Sequence, residues 1–392
     1  MNDMQYFFIL GTNAALSVAE LMAKLKFNKN QVIVGSGVLF YTTDEILNVN
    51  ELITGFGGTI KIGQIVASGK RNDKALIEVL TELAEPKDTG KYCFGFSSYL
   101  RNFNPKPVAM AFKTALKTKE ISARWVVSRE PTLSSVVVET NKLITNGWDV
   151  NLFEVNGEVY IGRTLVVQPF KELSNRDFGR PSRDDHSGML PPKLAQIMIN
   201  LAQCPKDEAL LDPFCGSGTI LTESLLMGYK KVIGSDLSVK AVADSINNCE
   251  WILSGTKKAK AFEIKNISAT ELSGQHKNDS IMAIVTEPFL GPQRGEVNVR
   301  VVVSELEALY AKSIKEFYKI LKPSGRVVMV WPVFKTKQDR IFMSTKIAGL
   351  FKIKPAILDE LSSEAVKLTN RKTIVYGRDG QKVWREIVIL QK

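Results

Sequence analysis

The sequence predicts an α/β protein in which a mostly parallel sheet with helices on both faces fills the second half, behind a smaller α+β region. Three observations carry this. After residue 192 the short apolar runs "ALLD", "KVIGSD", "SIMAIVTE" and "RVVMVWP" are separated by amphipathic stretches, and strand–helix alternation of this kind builds parallel sheets. Before residue 170, strands and helices mix without that order. Between the two, Ser174–Ala195 ("SNRDFGRPSRDDHSGMLPPKLA") is polar, charged and rich in Pro and Gly. The expected organisation is an N-terminal region over 1–170, a linker over 171–191 and the parallel-sheet domain over 192–392.

In chain order, "LSVAELMAKLKF" (Leu16–Phe27) has helical spacing with Ser17 as a candidate cap. "QVIVGSGVLFYTT" reads as strands around a glycine turn, "GGTIKIGQIVASG" alternates as a strand, "KPVAMAFKTALKT" is helical and "SARWVVS" is a strand. "VNLFEVNGEVYIG" places Asn156-Gly157 between two apolar runs, a hairpin signal. The Pro191-Pro192 pair can open a helix. "GTILTESLLMG" is a helix closed by Gly228, and Ser238 can cap the helix "SVKAVADSINNCEWIL". "AKAFEIKN" adds a strand, and Pro323 and Gly325 end the long helix "VSELEALYAKSIKEFYKILKPSG". "KTKQDR" (Lys335–Arg340) reads as a solvated helix start. "KTIVYG" and "VWREIVIL", joined at Asp379-Gly380, form an antiparallel hairpin at the sheet edge.

Composition narrows the function classes. The 392 residues are 44% hydrophobic, as in a soluble globular protein. No apolar run reaches the roughly 18 residues a membrane helix needs. The N-terminus has an early acid and no basic segment, so no signal peptide is expected. Cys93, Cys204, Cys215 and Cys249 are scattered, with neither metal-ligand spacing nor a disulfide framework; a reducing cytoplasm is the expected location. Residues 1–175 carry 19 basic against 17 acidic side chains, and residues 176–392 carry 33 against 24. A net +9 in one half against +2 in the other points to a polyanionic partner.

The chemistry centres on "LLDPFCGSGTILTE" (Leu210–Glu223), a glycine turn directly after the first parallel strand. Ligands of such sheets sit beyond the C-terminal strand ends. A dinucleotide fingerprint would need a third glycine where Leu221 stands, and Asp212 would repel a pyrophosphate. A P-loop would need Gly-Lys-Ser/Thr, which does not follow. S-adenosylmethionine (SAM) has no phosphate and carries a sulfonium and an ammonium, which attract a carboxylate. Glycines let the backbone approach it closely. Asp236 ends the next strand 24 residues on, where a ribose diol belongs. The expected cofactor contacts are Asp212, Phe214, Gly216, Gly218, Thr219, Asp236 and Leu237; near the adenine amine, where the amino-methyltransferases that this string resembles often have an acid, "NISATEL" offers Asn266 or Ser268.

"DPFCGSGTILTE" resembles the cofactor motif of amino-methyltransferases acting on nucleic-acid bases. "RDFGRPSRDDHSGMLPPKLAQIMINLA" (Arg176–Ala202) resembles the linker and entry helix of the archaeal-type tRNA guanine-10 N2-methyltransferases and their eukaryotic relatives. "YFFILGTN", "LSVAE", "GGTIKIGQI" and "LSSVVVETNKL" are similar to the same family, so the resemblance covers nearly the whole chain. It implies a Rossmann-like SAM-dependent methyltransferase domain behind a ferredoxin-like segment and a THUMP domain that grips tRNA. It leaves open whether the protein is a monomer or works with a small activating subunit, and it implies no metal. The family ends its fourth strand with Asp/Asn-Pro-Pro-Tyr/Phe, whose side-chain oxygen and backbone carbonyl accept the two N–H groups of an exocyclic amine while an aromatic stacks on the base. Here the turn is Thr286-Glu287-Pro288-Phe289-Leu290. Glu287 takes the acid's place, Pro288 supplies the carbonyl, and Phe289 stacks one position early.

Arg180, Arg183 and Lys193 stand as candidate contacts to RNA phosphates or to the cofactor carboxylate, or as ion-pair partners of Asp177 or Asp184. His186 reads as a solvent-facing linker residue and Cys215 as a packing residue. Two other functions remain open from the sequence: a DNA adenine or cytosine amino-methyltransferase, and a catalytically altered RNA-binding relative.

Overall fold

The computed structural model describes residues 4–35, 37–85, 90–183, 189–254, 261–292, 298–336, 339–361 and 366–392. His186 and Asp184 lie outside the described residues. The first half runs β1 (Met4–Leu10), α1 (Ala14–Leu25), β2 (Val32–Gly35), β3 (Val38–Thr43), α2 (Val49–Gly55), β4 (Thr59–Gly69), α3 (Asp73–Leu83), β5 (Tyr92–Ser98), α4 (Pro105–Thr118), β6 (Ala123–Trp125), α5 (Ser135–Thr140), β7 (Gly147–Val155) and β8 (Glu158–Val167). The second runs α6 (Phe170–Phe178), α7 (Pro192–Ala202), β9 (Ala209–Asp212), α8 (Thr219–Leu226), β10 (Lys231–Asp236), α9 (Val239–Leu253), β11 (Phe262–Asn266), β12 (Ile281–Thr286), α10 (Val299–Ile320), β13 (Leu321–Lys335), β14 (Arg340–Phe342), β15 (Lys352–Lys354), β16 (Ile374–Tyr376) and β17 (Val383–Gln391).

The chain forms two compact units. The first comprises 1–12, 27–54 and 59–170, the second 13–26, 55–58 and 171–392. The break at 170/171 accompanies a correction. Helix α1 and the 55–58 segment, expected in the N-terminal region, belong to the second unit. The expected linker also begins as helix α6, which runs to Phe178.

In the first unit β1–β8 form one sheet in the order β2-β3-β1-β4-β8-β7-β5-β6. It is antiparallel except where β5 pairs in parallel with β6 and β7. Phe94, Phe112, Trp148 and Val150 belong to its main apolar core. A buried polar network crosses the strands. Lys61 Nζ donates to Asp149 Oδ2 at 2.7 Å, and Ser97 Oγ and Thr164 Oγ1 each donate to Asp149 at 2.7 Å. Lys61 is 2% exposed and Asp149 0%. This ion pair joins β4 to β7, and a buried ion unpaired by mutation is costly.

The second unit has the sheet order β11-β10-β9-β12-β13-β17-β15, with β14 on β13 and β16 on β17. Strands β9–β13 are parallel and β17 antiparallel to β13, a Rossmann-like arrangement. Helix α7 buries ten of its eleven residues, Gln196 and Asn200 among them, and both of these are hydrogen-bonded as buried polar groups must be. Beside it, Glu20 on α1 accepts from the Gly57 and Gly58 N–H groups at 2.9 and 2.8 Å and from Asn200 Nδ2 at 2.9 Å. The cap of α1 is Asn13, which accepts from Leu16 N, while Ser17 lies inside the helix and donates to the Gly58 carbonyl at 2.7 Å. "KTKQDR" is not a helix start: β13 runs to Lys335, and Arg340 opens β14 beside it. Among the described residues no helix is long and apolar enough to cross a membrane.

Replacing Lys61 with methionine should strip Asp149 of its counter-ion and lower the unfolding free energy of the first unit by about 3–5 kcal/mol. Denaturant melts of the full chain, followed by probes in each unit, would register the loss in that unit's transition alone.

Candidate active site

The C-terminal ends of β9, β10 and β12 open onto a cavity of about 480 Å3 within the second unit. Of the expected site residues, Asp212, Phe214, Gly216, Thr219, Asp236, Leu237, Ser268, Glu287, Pro288 and Phe289 all line it. Gly218 stands just behind the lining, and Arg180, Arg183 and Lys193 lie outside it.

Asp212 is the last residue of β9 and is 2% exposed. Its Oδ1 accepts from Thr286 Oγ1 at 2.7 Å and from the Phe214 N–H at 3.2 Å. Burial pushes its carboxyl up to about 7; the two hydrogen bonds oppose the rise, and the nearby Asp236 and Glu287 charges add to it. The glycine turn follows in the left-handed region, Gly216 at φ 51° and Gly218 at φ 82°. A Cβ on Gly218 would also press on Ser245, whose Oγ lies at 3.0 Å. Helix α9 holds the turn from behind. Ser245 Oγ donates to the Gly216 carbonyl at 2.7 Å, and Asn248 Nδ2 donates to the Ser217 carbonyl at 2.8 Å. The third glycine of a dinucleotide turn allows close helix–strand packing. Here the contact is reversed: Leu221 on α8 packs against Gly234 on β10, where any Cβ would sit 2.5 Å from Leu221 Cδ1.

Asp236 ties the end of β10 to the turn. Its Oδ2 accepts from Gly216 N at 3.0 Å and its Oδ1 from Ser238 N at 2.9 Å. Each oxygen keeps a lone pair for a ligand hydroxyl. The structure separates the two adenine-side candidates. Ser268 lines the cavity, whereas Asn266 Nδ2 is spent on the Asp236 and Leu237 carbonyls, both at 2.9 Å. The Leu237 side chain is 77% exposed at the rim.

Glu287 stands one residue past β12, its side chain 12% exposed. Its Oε1 accepts from Arg385 Nε at 2.9 Å and lies 2.8 Å from Arg385 Nη2, while Oε2 is shut off from solvent and has no hydrogen-bond partner among the described residues. Burial pushes the carboxyl up, and Arg385 pulls against it. The turn is pinned by Tyr310 on α10, whose hydroxyl donates to the Phe289 carbonyl at 2.7 Å. The Phe289 ring is 58% exposed, free to meet a planar ligand.

The expected RNA contacts are corrected in part. Arg180 is 6% exposed; its Nη1 donates to Thr219 Oγ1 at 2.6 Å and its Nε to the Arg176 carbonyl at 2.9 Å. It braces the start of α8 instead of facing solvent. Arg183 is exposed and donates to the Phe178 carbonyl at 2.9 Å. Lys193 is exposed on the first turn of α7. Sequence reasoning missed Thr286 as a partner of Asp212, and also Ser245, Asn248, Tyr310 and Arg385. Only Thr286 adjoins a recognised motif.

The donors and acceptors around the cavity suit a cation with hydroxyl groups. They oppose a phosphate, which would face Asp212, Asp236 and Glu287 together. Alanine at position 218 should cost about 1–2 kcal/mol for its left-handed backbone and displace the turn toward the cavity. Calorimetric titration with S-adenosylmethionine should show weaker binding by this variant than by the wild type.

Two family models overlap the glycine turn, and one of them extends over the Glu-Pro-Phe turn. A family model described as RMKL-like, methyltransferase domain, matches residues 180–347, and one described as DNA methylase matches residues 38–247, more than half of the chain. The tRNA (guanine(10)-N2)-dimethyltransferase of Methanocaldococcus jannaschii is 26% identical over 205 residues, 50% of this chain and 52% of that protein. The enzyme of the same name from Methanothermobacter thermautotrophicus is 31% identical over 180 residues, 45% of this chain and 48% of that protein. The chain thus spans about half the length of the curated relatives it matches. In fold it is similar to TrmN from Thermus thermophilus, with a TM-score of 0.56 at 17% identity over 99% of each chain. It is also similar to SMU.472 in complex with SAH, with a TM-score of 0.50 at 11% identity over 99% of this chain and 98% of that one. The chain belongs to the methyltransferase family of the DNA methylase model, which matches more than half of it, and the named proteins it resembles are tRNA (guanine(10)-N2)-dimethyltransferases.

Proposed function

We propose that this chain is a SAM-dependent RNA methyltransferase acting on the exocyclic N2 amine of a guanine in tRNA. The observation that carries the proposal is the meeting, in one cavity, of a glycine turn between two carboxylates and a Glu-Pro-Phe turn. The first half of that arrangement fits a cationic cofactor, and the second fits a planar amine. The named relatives, with 26–31% identity over their matched halves, support guanine N2 in tRNA as the target.

Asp212, Phe214, Gly216, Thr219, Asp236, Leu237 and Ser268 would hold the cofactor, with Gly218 shaping the turn. When bound, SAM supplies an electrophilic methyl group on a sulfonium. Asp212 and Asp236 attract its positive charge, which acts strongly where burial has lowered the dielectric. Glu287 Oε2 and the Pro288 carbonyl accept the two N–H bonds of the guanine amine. That fixes the amine's orientation and localises its lone pair, which is otherwise delocalised into the ring. Phe289, exposed at the mouth, stacks on the base that leaves its helix or stack to enter. After transfer the nitrogen carries an extra proton and is acidic enough to lose it to water, so no separate base is assigned.

The first unit, in which the sequence suggests ferredoxin-like and THUMP-type parts, is proposed as the part that grips tRNA. Arg183 and Lys193, both exposed, are proposed phosphate contacts. A cytoplasmic location accords with a tRNA substrate, and action as a monomer or with a small activating subunit fits the same proposal.

Incubation with labelled SAM and unmodified tRNA, followed by mass spectrometry of the nucleosides, should reveal N2-methylated guanosine. Transfer to DNA, or to no nucleic acid, would refute the assignment. Glu287→Gln keeps the side-chain volume and an acceptor for Arg385, so the variant should fold and bind SAM. Its kcat should fall on the order of 10²–10³-fold, and unchanged turnover would remove Glu287 from the mechanism. Because the Asp212 carboxyl sits at about 7 in the free protein, SAM must bind its ionised form. Affinity should weaken about tenfold per pH unit below 7 and level off above it, and Asp212→Asn should flatten that slope.

A further inference from the structure

The acid at the end of β12 is one methylene longer than the family's aspartate or asparagine, and a longer side chain has an additional rotatable bond. Left alone it would place its oxygens less sharply. It is not left alone. Arg385, 98 residues further on, brings Nε and Nη2 onto the single oxygen Oε1, at 2.9 and 2.8 Å. Strand β17 makes this possible because it runs antiparallel to β13: Arg385, near its start, pairs with Pro332 near the C-terminal end of β13. That end of the sheet is also where β12 finishes. The arginine itself is 12% exposed in its side chain. The fork leaves Oε2 buried and without a hydrogen-bond partner among the described residues, in a residue that lines the cavity. A buried acceptor with nothing to accept is costly, and a donor arriving through the cavity would relieve it.

We infer that Arg385 is a positioning residue that clamps Glu287 by one oxygen and leaves the other, unclaimed among the described residues, as the acceptor for the target amine. This rests on the methyltransferase reading and specifies how the departure from aspartate is accommodated. The clamp also favours the ionised acid against burial, which pushes its carboxyl up. Around Glu287 stand Asp212 on β9, whose charge disfavours ionisation, Tyr310 on α10, neutral because burial holds its proton, and Arg385 on β17, the cation that acts on the carboxyl among the described residues. Removing the guanidinium leaves Glu287 with burial and a like charge, both of which favour the protonated acid. A protonated carboxyl places a hydrogen where the amine must donate one.

The test uses the full chain with Arg385→Gln and the charge-keeping Arg385→Lys, which has no fork. In Arg385→Gln, kcat on tRNA should fall about a hundredfold with KM and the SAM dissociation constant within threefold of wild type. The acid limb of the kcat–pH profile should move to higher pH. Arg385→Lys should keep the limb near its wild-type position and recover part of kcat; if the glutamine variant does not fold, the lysine variant must still show a reduced kcat. Independently of activity, the Glu287 carboxyl can be followed by carbon-13 NMR as the resonance missing from Glu287→Gln, and it should titrate at higher pH in Arg385→Gln. An unmoved titration, or an unchanged kcat, would overturn the clamp. Absence of methyl transfer by the wild-type protein would instead sink the assigned function, while the carboxyl titration would still decide the clamp.

Discussion

A carboxylate deprived of water at the end of a parallel strand can persist only with donors built around it. Asp212 has two, the Thr286 hydroxyl and the Phe214 N–H, and each fixes part of the site. The first holds the end of β12 against the end of β9, so the Glu-Pro-Phe turn starts from a set position. The second bends the chain after β9 and starts the glycine turn, which Asp236, Ser245 and Asn248 then lock from the neighbouring strand and helix. The glycine-turn half and the Glu-Pro-Phe half of the cavity therefore share one buried carboxyl group as their origin.

The second unit handles its buried acids in two ways. Glu223 is matched by Arg176, Glu386 by Arg371 and Glu287 by Arg385, each pair joining segments distant in sequence. Asp212 and Glu20 are instead met by neutral donors, with Lys24 only a weaker influence on Glu20, and burial pushes both carboxyls up to about 7. Asp212 lines the cavity, as does the matched Glu287, while Glu20 binds α1 to α7. This division also tempers the charge asymmetry. Part of the basic excess after residue 176 is internal, since Arg180 is buried against Thr219, so less of it is available to a polyanion than the net charge suggests.

What was legible in the sequence was local. The Asp212–Thr219 string, Asp236 and the Glu287 turn could be read because each motif carries its chemistry within a few residues. The parallel sheet could be read because strand–helix alternation repeats. The partners could not. Arg385 acts across 98 residues, Tyr310 across 21, and Ser245 and Asn248 across about 30, and nothing in their immediate sequence marks them. The same limit explains the misplaced cap of α1, where Ser17 matched the local pattern but is claimed by the Gly58 carbonyl from outside the helix. It explains Arg180 too: a charged residue in a polar stretch looks solvent-facing until α8 is folded against it.

Helix α1 leaves the growing chain early but finds its polar partner late, since Glu20 meets Asn200 across 180 residues. During ribosomal synthesis α1 must wait for α7 while residues 27–54 and 59–170 of the first unit are made. A protein cut to begin at the 170/171 break would lack that helix and leave α7 bare along one flank. The two units are thus interleaved in the order of translation, and neither could be inherited or transplanted as a simple stretch of gene.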